Sequence, residues 1–459
     1  MQRFEVHSHT EYSNLRLLDS IIKPKKLIER AIDLGLCGIA VTDHDCLSAH
    51  PQLCLLQKEI AEKNPDFKIA LGNEIYLIDD YETASKYYHF ILIAKDAIGH
   101  KMMRELSSKA WMNSQTKKGY EWVPTLKVDL KDKINKYGKG HLIATSACLG
   151  GELSTLTLQL CETELVNDMD TANSLKQNIA NFITFMKEIF EDDFYIECAP
   201  GCSKEQIIVN KRLKSIAEAF EVKMVIGTDA HFLKKEDRYV HKSYLNSQNG
   251  DREVDAFYEY SYLQDNEEIY NHLTKSYDKN FIDEMIQSSY EIYTKITQYS
   301  LLSKQKIPTI QIDENYYFRK LPKEKEKYPT LKKLNESNDK YGNMWISEVI
   351  KGLEEKDLID EEKYWERLEE EAFVKDVISR ELETNMFCYP LTLQHYIDLI
   401  WECGSTIGAG RGSSCSGLNH YLLGVTQLDP IEWNLPFFRY LNEERVELGS
   451  LLLILPSCK

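Results

Sequence analysis

The chain has 459 residues, enough for two or three domains that each bury a core. Of these residues 43% are hydrophobic and 28% charged, with no run of 18 or more apolar residues, so we expect no membrane-spanning segment. The beginning, MQRFEVHSHTEYS, lacks the apolar stretch of a secretory signal, which favours a cytoplasmic protein. The net charge of −17 repels polyanions, so binding to nucleic acid would need local basic patches. The 11 scattered cysteines contain no CxxC pair, which favours reduced thiols.

The first 235 residues alternate strand-like and helix-like segments. A short strand ends at His7, and Pro24 begins an amphipathic helix that ends at Gly35. A long helix is predicted to end near Phe190. The further strands are predicted, in chain order, at 38–42, 68–78, 87–94, 141–145, 194–197 and 223–227. About seven strands with helical connections predict a parallel α/β arrangement.

The position of the polar residues distinguishes two arrangements of these strands. An open doubly wound sheet and a closed barrel both fit the alternation of elements. Nearly every predicted strand carries His, Asp, Glu or Cys close to its C-terminal end, as in barrel enzymes. An open sheet would gather its chemistry at one switch point. We therefore expect a barrel.

The rest of the chain reads as mainly helical. Residues 236–300 are helical and rich in tyrosine, a lysine-rich linker follows at 321–329, and 340–403 are mainly helical. These features predict three segments, a barrel at 1–245, a helical connector and linker at 246–330, and a further domain at 331–459.

Residues able to bind metal recur along the predicted barrel. Two pairs have i, i+2 spacing next to a strand, so both side chains of a pair point the same way. The full set of candidate ligands is His7, His9, Asp19, His44, Glu74, His89, Cys148, Asp229 and His231. Imidazole, carboxylate and thiolate are the usual metal ligands in proteins. Glu197 has either a structural or an orienting role, and Asp43 and Asp45 shape their loop.

Each of these residues has an ordinary alternative role when taken alone. A single histidine after a strand is usually a loop residue, and an aspartate in a TD turn often caps a helix. Cys148 by itself would be a small buried apolar group. Nine such residues in this order are hard to explain by structure alone.

The motifs HSHTEYS, TDHD, GNEI, YYHF, SACLGGE and TDAHF resemble those of the PHP (polymerase and histidinol phosphatase) family over about residues 1–245. The resemblance implies a distorted seven-stranded α/β barrel with up to three zinc or manganese ions. It implies three ligand groups, which are His7, His9, Glu74 and Asp229, then Glu74, His89 and Cys148, then Asp19, His44 and His231. Within this set, Glu74, Asp229 and His231 are the predicted catalytic residues.

Phosphate ester hydrolysis is the natural reaction of such a site. Paired metal ions lower the pKa of a bound water, orient it towards phosphorus and neutralise charge on the leaving oxygen. In polymerase-linked members of the family, this activity implies a 3′–5′ exonuclease that proofreads newly made DNA.

A second motif, GAGRGSSCSG, lies at 408–417. Backbone N–H groups of such a turn can bind phosphate, and an arginine can add a forked contact. With YWERLEEEAFVKDVI before it and LLGVTQLDPIEWNLPFFRYLNEER after it, the motif resembles the palm of the bacterial DNA polymerase III alpha subunit. By that resemblance Arg411, Gly412, Ser413 and Ser414 contact the phosphates of a dNTP. DNA primer-template and replisome subunits are the implied partners.

The end of the chain departs from that family. After NEER the sequence reads VELGSLLLILPSCK, with no Asp-x-Asp element to hold two magnesium ions. Gly449, Ser450, Leu452 and Ile454 occupy the corresponding places. We therefore expect this chain alone not to polymerise DNA. A split polymerase completed by a second chain, a truncated gene and an altered sequence all fit this end.

Two other functions fit part of the sequence. A small-molecule phosphoesterase, similar to histidinol-phosphate phosphatase, explains the barrel motifs but not GRGS. A non-catalytic module, in which bound metal stabilises the polymerase, explains both, because metal binding contributes folding free energy.

Overall fold

A computed structural model describes residues 2–444 except for 83, 85, 118–119, 248–255 and 304–305. The chain divides into two compact units, Met1–Ser303 and Lys304–Lys459. The predicted domain boundaries at 245 and 330 stay predictions. The differences predicted at 449–454 lie outside the described residues.

The first unit is built around one sheet whose strands surround the polar residues predicted to bind metal. Its strands are β1 (Phe4–Glu5), β2 (Gly38–Val41), β3 (Lys68–Ile78), β4 (Tyr88–Ala94), β5 (Gln115–Lys117), β6 (Tyr120–Trp122), β7 (Pro124–Leu126), β8 (Leu142–Thr145), β9 (Phe194–Cys198) and β10 (Met224–Ile226).

Seven of these strands form a nearly closed barrel in the order β1-β2-β3-β4-β8-β9-β10, while β7 pairs with β3, and β5 pairs with β6. A parallel bridge between Ser8 and Ala230 joins the chain after β1 to the chain after β10. The predicted barrel is therefore confirmed.

One strand departs from the predicted parallel arrangement. Strand β4 is antiparallel to both neighbours, β3 and β8, whereas the other neighbouring pairs of the barrel are parallel. Residues 79–87 join β3 to β4 without a helix among those that are described. Since a parallel neighbour needs a long crossover, this short connection turns the chain back beside β3.

Helices cover the outside of the barrel. In the described part of this unit they are α1 (Pro24–Asp33), α2 (His50–Ile60), α3 (Ala97–Met112), α4 (Lys127–Tyr137), α5 (Glu152–Leu165), α6 (Met169–Phe190), α7 (Lys204–Phe220), α8 (Arg238–Leu245), α9 (Asn266–Leu273) and α10 (Lys279–Lys295).

The long helix predicted to reach Phe190 is two helices. Asn167 lies at a positive φ of 59°, and the Asp168 side chain then caps α6 by accepting a hydrogen bond from the backbone N–H of Thr171. Asn and Asp favour such breaks because their side chains satisfy the freed backbone groups.

The alternation of side chains along β4 separates two hydrophobic clusters. Phe90 and Leu92 pack with the helices around α6, whereas Ile91 and Ile93 pack with Phe4 and with α10. Because side chains alternate along a strand, His89 lies on the same face as Ile91.

The second unit is helical, in agreement with the prediction. Its described helices are α11 (Pro329–Glu336), α12 (Lys340–Glu355), α13 (Glu362–Glu381), α14 (Cys388–Glu402) and α15 (Leu418–Leu422). They enclose a core around the buried side chains of Trp345 and Trp365. No helix among the described residues of either unit is both long and apolar enough to cross a membrane.

Candidate metal centre

Four side chains converge at the end of β1. The Nε2 atoms of His7 and His9 lie 3.0 Å apart, and each is 3.0 Å from Glu74 Oε2. Each of these nitrogens is also 3.1 Å from Asp229 Oδ1. Ligands at about 2.0–2.1 Å from a shared tetrahedral ion lie about 3.3 Å apart, which is close to this spacing. These four atoms can therefore surround one cation.

Glu74 belongs to two groups at once. Its Oε2 faces His7 and His9, while its Oε1 contacts Nδ1 of His89. His89 Nδ1 lies 3.6 Å from the sulfur of Cys148. Glu74, His89 and Cys148 can thus hold a second cation, with the Glu74 carboxylate between the two positions.

A third group lies on the other side of His9. Asp19 Oδ2 is 2.8 Å from Nε2 of His44 and 2.9 Å from Nε2 of His231. The rings of His44 and His231 both stack on the ring of His9, with centroids 4.2 and 4.3 Å away. The structure therefore brings all nine predicted side chains close together. Two groups have the membership that the resemblance implied, whereas His44 and His231 group with His9 as well as contacting Asp19.

Hydrogen bonds outside these groups orient the imidazoles. Nδ1 of His7 donates to Glu197 Oε1 at 2.6 Å, and Glu197 in turn accepts a hydrogen bond from Thr145. Nδ1 of His9 donates to the hydroxyl of Ser13 at 3.1 Å, and that hydroxyl donates to Asp43 at 2.8 Å. Both rings therefore turn an Nε2 lone pair towards the centre.

Sequence reasoning left the role of Glu197 open and missed Ser13 and Tyr258. Glu197 holds the His7 ring, while the Tyr258 hydroxyl donates to Asp19 Oδ1 at 2.9 Å. Nothing in the sequence places Ser13 beside His9 or Tyr258 beside Asp19. Asp43 shapes its loop, as predicted, by accepting from the backbone N–H of Thr10 at 2.6 Å.

Two glycines allow close packing at the centre. A Cβ on Gly150 would lie 2.9 Å from ring carbons of His89, and a Cβ on Gly227 would clash with the carboxylate of Glu197. Larger residues would therefore displace a candidate ligand at Gly150 and an orienting carboxylate at Gly227.

The carboxylates dominate the electrostatics of the centre. Burial opposes charge on the imidazoles, but Asp229 and Glu74 outweigh it and raise the pKa of His9 to about 9. His7 behaves similarly, since burial is outweighed by Asp229, Glu197 and Glu74, which raise its pKa. Burial lowers the pKa of His44 to about 4. The carboxylates that favour positive charge at His7 and His9 would also favour a bound metal cation beside these two rings.

Two buried carboxylate oxygens of the centre lack a hydrogen-bond donor among the described residues and are therefore available to a cation. Asp229 Oδ1 and Glu74 Oε1 accept no hydrogen bond within the described part of the chain, although imidazole nitrogens lie beside both. Burial, with Asp229 and Glu74 nearby, raises the pKa of the Cys148 thiol, which a bound metal would reverse. Unsatisfied buried oxygens are costly, so these donor atoms fit divalent cations.

The predicted phosphate-binding turn lies in the second unit. Gly412–Ser416 form a short 3-10 helix, with Arg411 exposed before it. The Ser414 hydroxyl donates to the carbonyl of Arg411 at 2.6 Å, and Nδ1 of His420 donates to the carbonyl of Ser414 at 3.1 Å. These two hydrogen bonds hold the turn in place, while Arg411 and Gly412 lie at the surface.

Two family models match this chain. The PHP domain model matches residues 5–200, and the model of the bacterial DNA polymerase III alpha NTPase domain matches residues 318–450. Seven of the nine candidate ligands lie within the first match, whereas Asp229 and His231 lie beyond it.

Two DNA polymerases and one solved structure illustrate the proteins to which this chain is similar. The DNA-directed DNA polymerase of Bacillus phage SPbeta is 37% identical over 97% of this chain and 36% of its own length. The DNA polymerase III subunit alpha of Aquifex aeolicus is 28% identical over 97% of this chain and 35% of its own length. A solved protein of Bifidobacterium adolescentis, named as a metal-dependent phosphoesterase, aligns with 61% of this chain and 98% of its own at 17% identity and a TM-score of 0.32.

The chain spans about a third of the length of these polymerases. Both matched domains occur in the order that the sequence motifs indicated, and the predicted resemblance is confirmed. The chain therefore matches a PHP domain followed by a bacterial DNA polymerase III alpha NTPase domain, and over nearly its whole length it is similar to DNA polymerase III alpha subunits.

Proposed function

We propose that the first unit is a metal-dependent phosphodiesterase that removes nucleotides from the 3′ end of DNA and so proofreads during replication. The observation that carries this proposal is the convergence of nine buried or half-buried ligand atoms in three adjoining groups. Zinc or manganese suits the imidazole, carboxylate and thiolate set, and up to three ions fit the three groups.

The bound metal ions and the side chains of the chain have different roles in the proposed reaction. When bound, the metal ions supply a deprotonated water and neutralise the charge of the phosphate. Glu74 holds two groups at a fixed separation, since its two oxygens face different imidazoles. Asp229 Oδ1 lies 3.1 Å from Nε2 of His9 and 3.5 Å from Nδ1 of His231, so it joins the first and third groups. We assign Glu74, Asp229 and His231 as the catalytic residues on this basis.

For the second unit, we propose a role in binding primer-template DNA and a dNTP. Arg411, Gly412, Ser413 and Ser414 form a turn whose surface residues can contact phosphates. A completed polymerase site would use magnesium, with the rest of the polymerase and other replisome subunits as partners. This proposal rests on the resemblance to polymerases that are about three times as long.

The test is hydrolysis of a 3′-mismatched primer by the purified chain with manganese, cobalt or zinc. We expect stepwise release of nucleotides, loss of release in His9→Ala and Glu74→Ala, and normal release in His141→Ala. His141 is a matched control because its ring pairs with Asp96 at 2.7 Å, outside the three groups.

No release by the wild-type chain with any of these metals would overturn the enzymatic proposal. If His9→Ala then also lost thermal stability in the presence of metal, a structural metal site would be the better account.

A further inference from the structure

The candidate ligands differ in their access to solvent. Eight of the nine are at most 4% exposed, whereas the His89 side chain is 25% exposed. The candidate metal centre is therefore open to solvent at His89. A substrate would approach the centre from this side.

An ammonium group lies next to this opening. Lys86 is three residues before His89, and its Nζ donates to the Thr155 hydroxyl at 3.0 Å. Thr155 donates to the carbonyl of Leu149 at 3.4 Å, and Leu149 directly follows Cys148. Lys86 is thus tied to the loop that carries Cys148, whose sulfur lies 3.6 Å from His89 Nδ1.

The charge of Lys86 is not neutralised by an ion pair with any described carboxylate. Many other surface lysines of this unit are paired, for example Lys131 with Glu188 at 2.7 Å. Nζ of Lys86 also lies 5.6 Å from the centre of the Tyr88 ring. An unpaired cation at the mouth of a carboxylate-lined centre can attract a phosphate that the net charge of −17 would otherwise repel.

We propose that the substrate enters past His89 and that Lys86 contacts a non-bridging oxygen of the phosphate to be cleaved. This inference rests on the proposed phosphodiesterase function and adds a residue that positions the substrate.

The experiment compares wild type, Lys86→Met, Lys86→Arg and Lys211→Met with a single-stranded oligonucleotide and manganese. Lys86→Met removes the charge but keeps the length of the side chain, and Lys211 on α7 is an exposed lysine without an ion pair among the described residues. We expect KM to rise about tenfold in Lys86→Met, as for loss of one hydrogen bond to a charged group, with kcat and bound metal unchanged. Lys86→Arg should restore most of the affinity, and Lys211→Met should match wild type.

The dependence of KM on salt gives a second readout. KM of wild type should rise more steeply with salt concentration than KM of Lys86→Met, because one phosphate contact has been removed. An active wild type with an unchanged KM in Lys86→Met would overturn this inference alone. A wild type without hydrolysis would overturn the proposed function and this inference together.

Discussion

Glu197 offers the sharpest test of how the centre is built, because it contacts a candidate ligand without facing the proposed cations. Its Oε1 accepts the Nδ1 proton of His7 at 2.6 Å, and Thr145 donates to its other oxygen. Glu197→Gln keeps the volume and removes the charge. Loss of such an orienting carboxylate weakens metal binding by about 10- to 100-fold, or about 1.4–2.7 kcal/mol.

The assay is a competition titration with a chromophoric chelator, using zinc and then manganese. Gly227→Ala should weaken binding similarly, since the added Cβ pushes against the same carboxylate. The effects of the two substitutions should not add, because both act through one hydrogen bond. Asp193→Asn is the control, since Asp193 is a buried carboxylate of the same region that pairs with Lys95 and Lys295.

Equal zinc affinity in Glu197→Gln and wild type would refute the reasoning. An equal loss of affinity in Asp193→Asn would refute it as well, because the effect would then come from general destabilisation.

Glu74→Ala should lower the bound metal by two ions per chain, because Glu74 faces two groups, whereas Asp19→Ala should lower it by one. Elemental analysis after gel filtration measures both losses. Equal losses in the two variants would count against a bridging carboxylate. Gly150→Ala should reduce kcat/KM about tenfold or more by displacing His89, while a normal rate would show that the loop relaxes freely. Burial lowers the pKa of Lys375 to about 8, below its unfolded value of about 10.4, so the folded state loses the proton first and stability rises with pH. The free energy of unfolding in urea should increase by about 2 kcal/mol from pH 8 to 9.5 in wild type. That increase should be absent in Lys375→Met, and an equal increase in both proteins would contradict the assignment.

The sequence predicted the barrel because the physical signals were local. Short apolar strands and helices alternate, and most candidate ligands lie shortly after a strand. The exceptions are Glu74 within β3, His89 at the start of β4 and Asp19 in a loop. Since the carboxyl ends of neighbouring parallel strands meet at one face, the polar residues near them were predicted to converge. Their division into three groups was implied by the resemblance to the PHP family. His7 and Asp229 are 222 positions apart and yet come within 3.1 Å.

What the sequence could not predict depends on the direction and packing of whole elements. The reversal of β4 follows from a connection too short for a crossover, but the apolar run at 87–94 looks the same in either direction. The contact of Tyr258 with Asp19 joins residues 239 positions apart that share no pattern. The role of Glu197 likewise depends on the packing that brings its Oε1 to 2.6 Å from Nδ1 of His7.

Anomalous diffraction from crystals grown with manganese tests the central claim most directly. The account predicts peaks between His7, His9, Glu74 and Asp229, between Glu74, His89 and Cys148, and between Asp19, His44 and His231. Manganese bound only elsewhere on the protein, with these three positions empty, would contradict it.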